Sequence, residues 1–380
     1  MRALSRRDQY RRSANAETYS LSVVRIGCAA LALVLASCSA DLSVQREAQQ
    51  EAEAPPTLYS IVCVIHGDGD YLYHDTTGTE YQADEEALAA AKRVAQHNPQ
   101  AEVFIFHQRA RRRFLFMFPL RDGEFFYYRN GRLIANESYW RDQERSDFAP
   151  EAELYRRFGQ NDRSGIVNIF LYCGHEIPES GGAGYDASYP DRTVTVHGLA
   201  GGLQGLTRHA SRFDLMLLST CFGGTPYTIG AFGSAARYMV ASPDNLHLSY
   251  FDLHALERLD LSLQEGDVYA FARRFARQSF DRLTRDIQTA VSVGVYDVDR
   301  VQEFVRSVNG EYVRTLSAWK GETYVSSATK EHCDCADLPA YVLPTMNRGV
   351  EVFYRPARFG RLKDKQSHSG WECLKGRRPQ

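Results

Sequence analysis

An open α/β sheet with mostly parallel strands is the fold class that the sequence predicts. Three observations predict it: short apolar, β-branched runs recur along the chain, amphipathic segments separate them, and no repeat or proline-rich linker interrupts 57–360. The first run, Ser60 to Ile65, ends in His66-Gly67-Asp68-Gly69-Asp70, a composition that reads as a tight turn. Asp84 to His97 is alanine-rich with apolar residues at helical spacing, starts on acids and closes before Pro99. Glu102 to Phe106 is the next buried strand, so 60–106 spells strand, helix, strand, the parallel crossover. Phe114 to Arg132 alternates around Asp122-Gly123 and Asn130-Gly131, a hairpin appended to that sheet.

Pro150 to Phe158 reads as a helix and Gly165 to Cys173 as the third buried strand, followed by a Gly-rich loop over 180–188. Gly198 to Ala210 is a weaker helix because of its glycines. Phe213 to Leu218 is the fourth strand, Tyr227 to Ala236 a helix and Arg237 to Ala241 the fifth strand. After Asp260 come long helices, with Val268, Phe271, Ala272, Phe275 and Phe280 on one apolar face. Gly349 to Tyr354 is a late strand. The chain therefore divides into an α/β core over 57–260 and a helical and β part over 261–380 packed on it.

Of 380 residues, 24% are charged and 44% hydrophobic, which is ordinary globular arithmetic. The net charge of −2 gives no basic field for nucleic acid. The N-terminus is an address: Arg2, Arg6, Arg7, Arg11, Arg12 and Arg25 precede an apolar run from Ile26 to Ala36 that is too short to span a bilayer. Leu35-Ala36-Ser37-Cys38 looks like a bacterial lipobox, which implies a signal peptide over 1–37 and lipid on Cys38. Ser39 after that cysteine implies sorting to the outer membrane. Without 1–37 the chain keeps 39 bases against 45 acids, a net charge of −6. Ser39 to Pro56 is polar and acidic, so 38–56 reads as a tether between the lipid and the domain.

Two strands end in reactive side chains. The third ends Cys173-Gly174-His175, and the fourth ends Ser219-Thr220-Cys221-Phe222-Gly223-Gly224. Ligands bind outside the carboxyl ends of parallel strands, near a switch in strand order. If the two strands are neighbours, His175 and Cys221 share one crevice. A thiol is mostly protonated at neutral pH, so an adjacent imidazole is what makes it a nucleophile. The glycines after Cys221 leave main-chain N–H groups for an oxyanion.

The order of strands, hairpin, His strand and Cys strand resembles the clostripain-like cysteine peptidases, relatives of gingipains, legumain and caspases. NIFLYCGHE carries the histidine and RFDLMLLSTCFGG the cysteine, while ARYMVASPDNLHLSYFDL, GVEVFYRP and SHSGW are similar to later segments of that family. The resemblance implies a caspase-like three-layer sandwich with a mostly parallel central sheet and a C-terminal helical and β extension. It implies His175 as general base and acid, Cys221 as nucleophile, and amides at Gly174 and Glu176 for the oxyanion. Ser219, Asp244, Tyr250 and Asp252 fall where the family lines its specificity pocket. Calcium enters only through the family; the residues themselves call for no cofactor and no metal. Protein or peptide substrates follow, with the membrane reached through the lipid and no nucleic acid; the sequence carries no sign of oligomeric state.

Two departures stand out. Glu176 replaces the family's glycine after the histidine, where a glycine conformation would be strained by a side chain. Ser219 replaces its acid two residues before the cysteine. They motivate an alternative, a catalytically inactive caspase-like lipoprotein serving as a surface binding module.

Other residues read more plainly. His175-Glu176-Ile177-Pro178-Glu179 begins like the HExxH zinc motif, but its proline opposes the required helix. Cys63 and Cys173 are core thiols, and His107 with Arg111-Arg112-Arg113 reads as solvated surface. His197 is a minor alternative base, and Arg192 is a conceivable maturation cleavage site. Export permits but does not require a disulfide, for which Cys333 or Cys335 with Cys373 is one pairing, with a His332, Cys333 and Cys335 zinc site as its rival.

Overall fold

The computed structural model describes residues 55–302, 349–360 and 363, apart from 70, 116, 160–164, 179–181, 183–184, 208–211 and 261–266. The expected leader, Cys38, most of the expected tether, and Cys333, Cys335 and Cys373 lie outside the described residues.

The first apolar run forms β1 (Tyr59–Gly67), longer than the sequence implies because His66 stays in the ladder. Short strands β2 (Leu72–His74) and β3 (Glu80–Gln82) lead into α1 (Ala83–His97). Asp84, Glu85 and Glu86 sit in the first turn of α1, where the helix dipole favours acids, and Ala87, Leu88, Ala91, Val94 and Ala95 are buried at helical spacing. The crossover delivers β4 (Ala101–Arg109), parallel to β1 with Ile61 opposite Val103. A small hairpin, β5 (Arg113–Phe114) and β6 (Phe118–Pro119), precedes β7 (Gly123–Arg129) and β8 (Arg132–Tyr139), which add antiparallel beyond β4. Asn130 (φ 53) and Gly131 (φ 73) form their two-residue turn, both left-handed as the hairpin twist requires.

The remaining parallel strands build on the other side of β1. Helix α2 (Ala149–Phe158), with Pro150 in its first turn, leads to β9 (Val167–Cys173), parallel to β1. Helix α3 (Val196–Gly202) ends at the glycine pair, and the chain tightens into a 3₁₀ turn over Leu203–Leu206. Then come β10 (Phe213–Ser219), α4 (Pro226–Ala231) and β11 (Ala236–Ala241). Helix α4 stops five residues before Ala236, because Ala236 already belongs to the next strand.

Helix α5 (Asp267–Asp286) buries Val268, Phe271, Ala272 and Phe275, and Phe280 packs against the same core. It is followed by β12 (Val291–Asp297), antiparallel to β11, and β13 (Val350–Arg355) closes that edge. The sequence reading passes over β12, although Val291, Val293 and Val295 alternate as a strand requires. The nine-stranded sheet runs β13-β12-β11-β10-β9-β1-β4-β7-β8. The late strands therefore continue the main sheet instead of packing on it as a separate part.

Both faces of the sheet are covered, which makes the three-layer α/β sandwich. Ile61, Cys63, Ile65, Ile169, Leu171 and Leu215 join a core with α1 and α5. Val62, Val64, Phe170, Tyr172, Met216 and Leu218 join a second core with α2, α3 and α4. Alternation along each strand thus feeds two cores, and the strands read as continuous apolar runs because neither face meets water.

His107 corrects the surface expectation. It is fully buried on β4, its Nε2 3.0 Å from an oxygen of Asp84 and its Nδ1 3.7 Å from Glu124. Burial pushes its pKa down, but the two carboxylates outweigh burial and raise it; Glu124 is lowered in turn, by His107 first. The raised imidazole stabilises the fold fully below its ordinary value of 6.5 and loses that contribution as pH rises through its higher native value. A His107→Gln variant should therefore lose the most stability near pH 6, about 3–5 kcal/mol for a broken buried pair. Urea unfolding from pH 6 to pH ~9 should show its deficit against wild type shrinking.

Candidate active site

Register decides which strand ends meet. Ile65 of β1 lies opposite Cys173 of β9, and Cys173 lies opposite Ser219 of β10. His175 and Cys221 each stand two residues beyond that matched pair, on adjacent parallel strands about 4.8 Å apart. From β1 the chain crosses first to β4 on one side and later to β9 on the other, so strand order switches between β1 and β9. The half-buried His175 and Cys221 thus leave the sheet beside the switch point.

The two loops are tied together. The Thr220 hydroxyl donates to the His175 carbonyl, and the Gly174 N–H donates to the Ser219 carbonyl at 3.4 Å. Gly174 is needed for close approach: a Cβ there would meet the Tyr172 hydroxyl at 2.8 Å and His66 Cβ at 3.1 Å. Its amide is directed at β10, so the oxyanion role expected of Gly174 is not what this geometry offers. Glu176 is half-buried and keeps a negative φ, so the strain expected at that position does not arise. The left-handed backbone falls instead on Phe222 (φ 51), directly after Cys221, and on Tyr250 (φ 56).

The loop after β11 closes over Cys221. The Cys221 thiol donates to the Leu246 carbonyl at 3.4 Å, and the Leu246 N–H approaches the same sulfur at 3.3 Å. Ser219, fully buried, accepts the Phe251 N–H at 2.9 Å and so anchors this loop. Tyr250 and Asp252 share a cavity of about 330 Å³ with Glu86, Cys173, Ser249 and Arg282. Asp244 stands apart from that cavity: its carboxylate accepts the Asn245 N–H, and its carbonyl accepts the Phe222 N–H. Of the four residues expected to line a pocket, two line a cavity and two hold the loop.

Cys63 and Cys173 are buried, and burial pushes both thiols up, Cys173 to about 12. Cys221 is the one cysteine among the described residues that is not buried.

A polar cluster under the switch point escapes the sequence reading. The His175 ring stacks against Tyr71, centroids 4.4 Å apart, and the Tyr71 hydroxyl lies 3.2 Å from His66 Nδ1. His66 Nε2 faces Asp186 at 3.6 Å. Asp186 is gripped by Arg141 and Arg192, and Arg141 also reaches Asp68 at 2.7 Å. All five of these polar residues are buried. Two carboxylates balance two guanidiniums, so the imidazole has no charge left to neutralise. Burial first, and Arg141 next, hold His66 well below the usual imidazole range, and it is neutral at neutral pH.

Two expectations are corrected by this cluster. Asp68 bends the chain after β1 as expected, and it is also an ion-pair partner in the interior, not a solvated residue. Arg192 is buried and paired with Asp186, which removes it as an exposed cleavage site. No single motif signals the cluster, because its members come from three distant segments. His197, in the first turn of α3, is exposed and packs edge-on against Tyr227. His175 to Pro178 form no helix, which removes the zinc-motif reading.

Asp84, Glu85 and His107 come near enough to share a metal ion. Arg109, 3.9 Å from Glu85 and bonded to Glu124, already supplies positive charge there.

No family model matches the chain, and no curated protein matches it. Among solved structures it is similar to a secreted C11 cysteine protease from Bacteroides thetaiotaomicron, at 10% identity over 68% of this chain and 71% of that one, with a TM-score of 0.47. A secreted C11 cysteine protease from the same organism, in complex with an irreversible peptide inhibitor, aligns at 11% identity over 75% and 73%, TM-score 0.46. An inactive zymogen C11 protease from Parabacteroides distasonis aligns at 13% identity over 67% and 66%, TM-score 0.44. These are likenesses in the run of the chain, and the chemistry rests on the residues above.

Proposed function

We propose that this chain is an exported, lipid-anchored cysteine endopeptidase in which Cys221 is the nucleophile and His175 the general base and acid. The observation that carries the reading is the pairing of β9 with β10, which brings one imidazole and the one unburied described cysteine to the same end of adjacent parallel strands. His175 takes the thiol proton as sulfur attacks the scissile carbonyl, then gives it to the departing amine. Water attacks the resulting thioester, losing its proton to His175; the C–S bond breaks, the acid leaves, and the Cys221 sulfur recovers the proton from His175. Main-chain amides near Glu176 and Cys221 would face the oxyanion. Tyr71 would act as a positioning residue, its ring limiting the swing of the imidazole.

One observation favours a second reading. Leu246 engages the Cys221 sulfur through both its N–H and its carbonyl, where an active thiol needs room for a substrate. A domain that keeps this loop closed would be the inactive binding module.

Iodoacetamide at neutral pH distinguishes the two. A peptidase should be alkylated at Cys221 ahead of Cys63 and Cys173, and His175→Ala should slow that reaction. Equal, slow labelling of all three would support the binding module. Against a peptide library, Cys221→Ala should cut hydrolysis at least about a thousandfold. Tyr71→Leu should lower kcat by about ten- to a hundredfold, while Tyr71→Phe, which keeps the ring, should retain most activity.

A further inference from the structure

The small hairpin between β4 and β7 projects its apolar side chains into solvent. Arg113 pairs with Pro119 and Phe114 with Phe118, and the Met117 N–H closes on the Phe114 carbonyl at 3.2 Å. Phe114 is 58% exposed, Leu115 62%, Met117 71%, Phe118 57% and Leu120 44%. Single exposed apolar residues are normal, but five on one short ribbon form a patch that calls for a partner. Arg111, Arg112, Arg113 and Arg121 flank the tip and are exposed, and among the described residues no carboxylate pairs with them. The Arg111 N–H is fixed to the Ser188 hydroxyl at 2.7 Å, which ties the ribbon's base to the body.

Topology places the ribbon at the end of the sheet where His175 and Cys221 lie. It leaves from the carboxyl end of β4, which runs parallel to β1 and hence to β9. Trp140, 41% exposed, follows β8 at that same end.

We propose that this ribbon inserts into an anionic lipid bilayer, its tip entering among the acyl chains and its arginines resting on lipid phosphates. An apolar tip collared by positive charge matches the order of layers that such a surface presents. A two-fold contact between copies through this patch would bring arginines of both chains together, which disfavours a second copy as the occupant. Insertion would turn the sheet end that carries the candidate site toward the membrane. The proposal is independent of the peptidase reading, since it uses none of the site residues.

The test uses the full chain carrying Cys38→Ser, so that no covalent lipid contributes, with vesicles of phosphatidylcholine alone or mixed with phosphatidylglycerol. Sedimentation should show preference for the mixed vesicles, weakening with salt. Phe114→Ser, Met117→Ser and Phe118→Ser together should lower the partition coefficient at least about tenfold, and Arg112→Gln or Arg113→Gln about fivefold each. Because an apolar N-terminal run would also hold the chain on vesicles, Phe118→Trp reports on the ribbon itself. Its added fluorescence should shift to the blue on mixed vesicles and be quenched by brominated lipid. The proposal is overturned if the Phe118→Trp signal ignores vesicles. It is overturned equally if light scattering finds a dimer that the serine variant dissolves while vesicle binding is absent.

Discussion

The matched register of β1, β9 and β10 is the constraint on which the rest depends. These strands are buried on both faces, with alternate side chains committed to opposite cores. A one-residue slip would send every side chain of a strand into the wrong core. Burial of a large apolar side chain is worth about 1.5–3 kcal/mol, and each strand carries several, so slippage is strongly opposed. The same pairing that satisfies the cores sets His175 level with Cys221. Chemistry at the sheet end is thus a by-product of packing in the middle of it.

Much of the sheet is legible in the sequence because parallel strands covered on both faces leave unbroken apolar runs. The runs around Val62, Phe104, Phe170, Met216 and Val240 stand out for that reason. Strand β12 is harder to see, since Ser292 and Gly294 break its apolar character and it follows a long helix. His175 and Cys221 are readable as strand-end residues. Their being neighbours is not, because adjacency belongs to the order of strands in the sheet.

The polar interior is where local reading fails. His107 sits beside three arginines in the chain yet is enclosed between Asp84 and Glu124. Asp68, in a stretch rich in glycine, reads as turn chemistry alone and is also an internal counter-ion. Composition reports what a segment would do if solvated, and tertiary partners from distant segments reverse that. Glu176 teaches the opposite lesson: its backbone keeps a negative φ that any side chain accepts, and the left-handed residue of the site is Phe222.

The ionic cluster beneath the switch point joins Asp68, Arg141, and the Asp186 and Arg192 of one loop, three separate stretches of chain. None of these charges can be dehydrated at tolerable cost until its counterparts arrive. The cluster must therefore form late in folding, after the strands on both sides of β1 are assembled, because its contacts span long loops. A nascent chain that has not yet produced Arg192 has an unfinished floor beneath Tyr71 and His175. The order in which this chain can assemble is thus set by its charges as well as by its apolar strands.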